Sequence, residues 1–182
     1  RKQVFITFAP YVLIMSYGAG PALISSLNGI TSLGNIAFGP ALGRLMDRVG
    51  YRRIIVIDAF LQIPLCLCYG FAHRVLPHGV AYAVIAVVFV LDALLFAVGM
   101  ARALYVKSLS GSQDEVTSTL STGISINHLV SILIAVAGGL LWEVLGTEAL
   151  FSIAAFFGLC SCAFSLTLPA PARAAAAAGL PR

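Results

Sequence analysis

The stretch Gly43-Arg44-Leu45-Met46-Asp47-Arg48-Val49-Gly50-Tyr51-Arg52-Arg53 is charged, and what surrounds it is not. It holds four of the chain's 11 Lys and Arg residues. Apolar runs flank it, at about 22–42 and about 54–72. A short cationic segment between two apolar runs is how a cytoplasmic membrane loop is built, because Lys and Arg collect on that side.

Outward from this loop the same alternation continues. Of the 182 residues, 60% are hydrophobic and 10% charged; mean hydropathy is +0.99. A soluble domain carries about 25% charged residues, since a compact globule needs a polar shell. An ordinary cytosolic enzyme, a DNA-binding module and a disordered tail are thereby excluded. A membrane span needs about 20 apolar residues. Charged and turn residues divide the chain into six apolar runs, at about 4–18, 22–42, 54–72, 79–104, 116–141 and 149–168. The expected architecture is an all-α integral membrane unit of six transmembrane helices over residues 1–169. An Ala/Pro-rich tail over 170–182 is expected to be mobile and cytoplasmic.

The first two runs are short, and one long span with a re-entrant piece is the alternative reading. Charge decides between them. Six spans gather Arg1, Lys2, Arg44, Arg48, Arg52, Arg53, Lys107, Arg173 and Arg182 on one side and leave Arg74 on the other. Five spans would split the basic residues. Both termini are therefore expected in the cytoplasm, in a cell membrane. The same bias makes the basic residues markers of a membrane face, so no nucleic-acid partner is expected. The lack of an initiator Met suggests part of a longer protein.

Polar groups inside the runs need protein or water around them, because lipid offers no hydrogen bonds. Ser25, Asn28, Ser32 and Asn35 share one helical face, and Ser118, Ser121, Ser125 and His128 share another, with Asn127 beside them. Small and hydroxyl residues serve helix packing equally well. Asn28, Asn35, Asn127 and His128 are larger and costlier to bury, and are candidates for lining a pathway. Asp92 is the sharpest single residue. A carboxylate at the bilayer centre costs about 2.5–3.5 kcal/mol on insertion scales, so a partner, water or a proton must compensate. It is a candidate proton carrier or ligand for a substrate cation. Arg102 lies ten residues on, about 15 Å along a helix, and is a poor direct partner; His128 is a better one. Asp58 and Gln62 share a face, with Asp58 near enough to the edge to pair with Arg52 or Arg53 or to be solvated. Glu143, Glu148, His73 and His78 read as solvated loop residues.

The cysteines, Cys66, Cys68, Cys160 and Cys162, form two C-x-C pairs in apolar runs. Residues two apart do not share a helical face, so they read as packing residues; no metal or other cofactor is expected. There is no H-E-x-x-H, nucleophile elbow or G-x-x-x-x-G-K, and no enzymatic activity is expected.

The loop Gly43, Asp47, Arg48, Gly50, Arg52, Arg53 resembles the signature loop G-x-x-x-D-R-x-G-R-R/K of the major facilitator superfamily, with Tyr51 where the family often has a basic residue. Gly138-Gly139-Leu140-Leu141-Trp142-Glu143-Val144-Leu145-Gly146 with Phe151 resembles the family's turn between the fifth and sixth helices of a unit. The resemblance implies one half of a twelve-helix secondary transporter, which moves a small solute by alternating access, with a coupling proton in some members. It implies that Gly43, Asp47, Arg48, Gly50, Arg52 and Arg53, with Arg102, form a cytoplasmic latch, and that Asp92 faces the cavity. The chain then reads as the C-terminal half, with the N-terminal half or a self-associating six-helix protein as alternatives. Its partners would be a small-molecule substrate, the bilayer, and a second half or a homodimer partner. A non-transporting six-helix subunit that binds a partner is the competing function.

Overall fold

The computed structural model describes residues 2–168; the tail expected over 170–182 lies outside them. The described elements are helical: α1 (Lys2–Tyr17), α2 (Pro21–Val49), α3 (Tyr51–Val75), α4 (His78–Leu95), a 3₁₀ turn (Phe96–Val98), α5 (Gly99–Leu109) and α6 (Gln113–Thr167).

The segment read above as a charged loop is mostly helix. Arg, Leu and Met are good helix formers, so α2 runs on through 43–49. Leu42 and Met46, 4% and 1% exposed, anchor its last turns against Ile54, Ile55 and Tyr105. Gly50 alone separates α2 from α3. Its φ of 88° lies where a side chain is strained. Pro77 ends the next helix by holding Leu76 extended (φ −116°, ψ 148°). At the start of α6 the Ser112 hydroxyl accepts from Glu115 N (3.2 Å), and Glu115 Oε2 accepts from Gly111 N (2.8 Å). This is a capping arrangement that satisfies otherwise orphaned amides.

Gly146, with φ 79° and ψ 179°, breaks α6 into arms 113–145 and 147–167. That backbone region is essentially open to glycine alone. Apart from the local backbone, no atom of the described residues lies within 4 Å of a Cβ built there, so a substitution meets backbone strain and not a clash. Gly146→Ala is expected to lower stability by about 1–3 kcal/mol, read as a lower thermal midpoint in detergent. An unchanged midpoint would mean that the break is not held in this conformation.

Contacts fix the directions. Gln62 meets Asp92 and Asp58 meets Arg102, so α3 runs antiparallel to α4–α5. Tyr17 packs on His78 and Tyr82, which makes α1 antiparallel to α4. Glu148 meets His73 and Arg74, while the Leu166 carbonyl accepts from Arg52 Nη2 at 2.6 Å. The second arm of α6 therefore descends along α3. The first arm ascends beside α1, where Trp142 stacks on Phe8 at 5.9 Å. The chain thus reverses at 18–20, 50, 76–77, 110–112 and 146. One end of the bundle carries Arg44, Arg48, Arg52, Arg53 and Lys107. The other carries Arg74 with His73 and Glu148, so Glu148 is an ion-pair partner and not only a solvated loop acid.

The main core joins α1, α3, α4 and the second arm of α6. Tyr69 stacks on Phe151 (5.1 Å, 13°), and Phe5 meets both rings edge-on at 5.3 and 5.8 Å. Gly70 lets that layer close, since a Cβ there would come 3.3 Å from the Cβ of Phe151. Among the described residues, three stretches are long and apolar enough to cross a membrane by length and composition: Tyr51–Val75, His78–Lys107 and Gln113–Thr167. α1, at 16 residues, is about 24 Å long.

Candidate functional site

α3 presents two polar side chains one turn apart on its buried face, Asp58 and Gln62, 1% and 0% exposed. Buried polar groups require partners, and α4 and α5 supply them. Arg102 Nη2 donates to Asp58 Oδ2 at 2.6 Å. Gln62 Nε2 donates to Asp92 Oδ1. The two contacts grip the chain on either side of the 3₁₀ turn Phe96–Val98. The Gln62 Oε1 and Tyr69 Oη atoms, also on this side of α3, are buried without a hydrogen-bond partner among the described residues.

Asp92 is half-buried. Besides meeting Gln62 it opens onto a cleft of about 360 Å³ between α1, α2 and α4. Asn28 of α2 lines the same cleft, with Ile6 and Pro10 of α1 and the rings of Phe5, Phe89 and Phe96. Pro10 has no N–H to give to the Ile6 carbonyl, which leaves a helix acceptor among the lining residues. A carboxylate, an amide and a carbonyl in an otherwise apolar wall can hold a hydrogen-bond donor or a cation. Lys2 contacts one of the lining residues: its Nζ donates to the Phe96 carbonyl at 3.3 Å and lies 4.4 Å from the Phe96 ring centroid.

The remaining sequence candidates lie elsewhere. Asn35 is half-buried on α2 and does not line this cleft. Asn127 and His128 are exposed on the first arm of α6, whose inward contacts run instead through Ser131 to Gln3 (2.8 Å) and through Trp142. Asp92 thus meets Gln62, not His128. Asp58 meets Arg102, where pairing with Arg52, Arg53 or solvent was expected. Asp47 and Arg48 are exposed, Gly43 is half-buried, and Gly50 is the α2–α3 turn. Arg102, grouped with Asp47 and Arg48 above, is committed to Asp58. One signal for the Gln62–Asp92 pair was available in the sequence. Gln62 and Asp92 stand nearly equidistant along the chain from the 76–77 turn, so an antiparallel hairpin of helices brings them level.

Long apolar helices, alternating in direction, are those of a multi-pass membrane protein. Residues 2–181 match the Major Facilitator Superfamily, and the chain belongs to that family, whose members are transporters and not enzymes. Neither a curated protein nor a solved structure matches the chain.

Proposed function

We propose that this chain forms a six-span half of a secondary carrier, which moves a small solute across a cell membrane by alternating access. The observation that carries the reading is the cleft in which α1, α2 and α4 surround Asp92 and Asn28, in a chain matched to a transporter family over its length. The six spans are the helices between successive reversals. The excess of Lys and Arg at the 44–53 end supports a cytoplasmic setting for that end and, with six spans, for both termini. In this reading the 43–53 segment is the latch of that face, and Asp92 carries a coupling proton or a solute cation.

The outward polar stripes favour a partner. Ser25, Asn28 and Ser32 of α2 and Ser118, Ser121, Ser125 and His128 of α6 are exposed on this chain. Such residues do not face lipid without penalty. They suit the surface of a second six-helix half, or of a second copy.

Asp92→Asn tests the mechanism, because it keeps an oxygen for Gln62 Nε2 and removes the charge. The full-length carrier would be reconstituted in vesicles and offered a panel of sugars, organic acids, peptides and cationic drugs. Uptake driven by a pH gradient is expected to fall about tenfold or more, the scale of one lost charged contact. Undiminished coupling in a normally inserted variant removes Asp92 from the mechanism.

A further inference from the structure

A second cavity, of about 280 Å³, lies at the basic end between the first turns of α3 and the last turn of α6. Arg52 and Arg53 form its head, and Val56, Ile57 and Leu166 its wall. Each arginine stands four residues before one of the aliphatic side chains, so charge and apolar surface follow each other along one flank of α3. Arg52 is held rigidly, its Nη2 donating to the Leu166 carbonyl. Its Nε is buried and has no hydrogen-bond partner among the described residues, and an unmet donor of this kind is costly. Arg53 is exposed, and so are Ile57 (47%) and Leu166 (57%). Among the described residues, no carboxylate lines the cavity. Gly50 offers α3 no side-chain cap, which leaves the positive end of the helix dipole beside the arginines.

We infer that this cavity binds an anionic phospholipid, the phosphate on Arg52 and Arg53 and an acyl chain along Val56, Ile57 and Leu166. The chemistry is complementary at both ends. A planar guanidinium takes phosphate oxygens in paired hydrogen bonds, and basic pockets between membrane helices on the cytoplasmic side suit anionic headgroups. The inference rests on the membrane reading above, with the 44–53 end at a headgroup layer.

The test is native mass spectrometry of the purified chain in mild detergent, titrated with phosphatidylglycerol, phosphatidylcholine or soluble glycerol 3-phosphate. Phosphatidylglycerol is expected to bind about tenfold more tightly than phosphatidylcholine, the scale of one charge-assisted contact. Arg53→Gln should remove most of that preference with no change in thermal midpoint, because its exposed side chain makes no hydrogen bond or ion pair among the described residues. Ile57→Asn should weaken the lipid. Equal affinity for the two lipids, or a preference that survives Arg53→Gln, overturns the site. Glycerol 3-phosphate binding as tightly as the lipid overturns the acyl-chain assignment. Flotation with phosphatidylcholine vesicles checks the underlying reading separately: a chain that does not float sinks the membrane placement, whereas one that floats without lipid preference sinks the site alone.

Discussion

Arg102→Met is expected to destabilise the bundle by about 3 kcal/mol, the lower part of the range for breaking a buried ion pair by removing one partner. The lower part applies because the Arg102 side chain is 43% exposed while that of Asp58 is fully covered. The penalty arises on the Asp58 side, where a carboxylate loses its guanidinium and cannot turn to solvent. The thermal midpoint in detergent should fall clearly, and less protein should survive extraction as a single species. Adding Asp58→Asn to Arg102→Met should recover part of the loss, because the stranded charge is gone. Coupling between the two sites above about 1 kcal/mol in a double-mutant cycle is the expected signature. If Arg102→Met is as stable as the parent, the pair is solvated and does not hold α3 to α5.

The second large effect is expected at Gly138. A Cβ there would lie 2.6 Å from Phe8 Cε2 and 2.8 Å from Phe8 Cζ. The Phe8 ring has little room to retreat, being 6% exposed and stacked on Trp142 with an interplanar angle of 16°. Gly138→Ala gains up to about 1 kcal/mol of helix propensity but meets an overpacking penalty of about 1–3 kcal/mol. Gly138→Leu should be worse still and should detach the first arm of α6 from α1. Thermal unfolding should rank the parent above Ala and Ala above Leu, and Phe8→Leu should relieve the Ala variant. A Gly138→Ala protein more stable than the parent would show that this contact is not close-packed.

Much of the helical layout was legible because apolar runs and their charged breaks are local features. The turn at 76–77 is written in Leu76-Pro77, and that at 110–112 in Ser-Gly-Ser. The 43–49 segment misled because charge marks where a helix meets polar surroundings and not where it stops. Arg44 and Arg48 sit on the continuing α2, Arg52 and Arg53 open α3, and Gly50 between them carries the backbone that ends the first helix. The cleft was legible in part. Asp92 and Asn28 announced themselves as polar atoms in apolar runs, and both line it. Asn127 and His128 did so equally, yet they lie on an exposed arm, because periodicity gives a face and not the neighbour of that face. The Asp58–Arg102 pair escaped for a related reason: a distance measured along one helix says nothing about reach across to another.

The one-residue turn at Gly50 has a consequence for how this chain can change over time. With no slack between α2 and α3, the rotational phase of α3 is inherited directly from the end of α2. One extra residue in the helix at the start of α3, before Arg52, would turn the residues after it by about 100° about the helix axis. Asp58 and Gln62 would swing together away from Arg102 and Asp92, and the Arg52–Leu166 contact would go with them. Away from Gly50, whose positive φ disfavours any side chain, drift by substitution stays open along this joint, whereas drift by insertion is closed. A length change elsewhere, where several residues link the helices, leaves that phase intact.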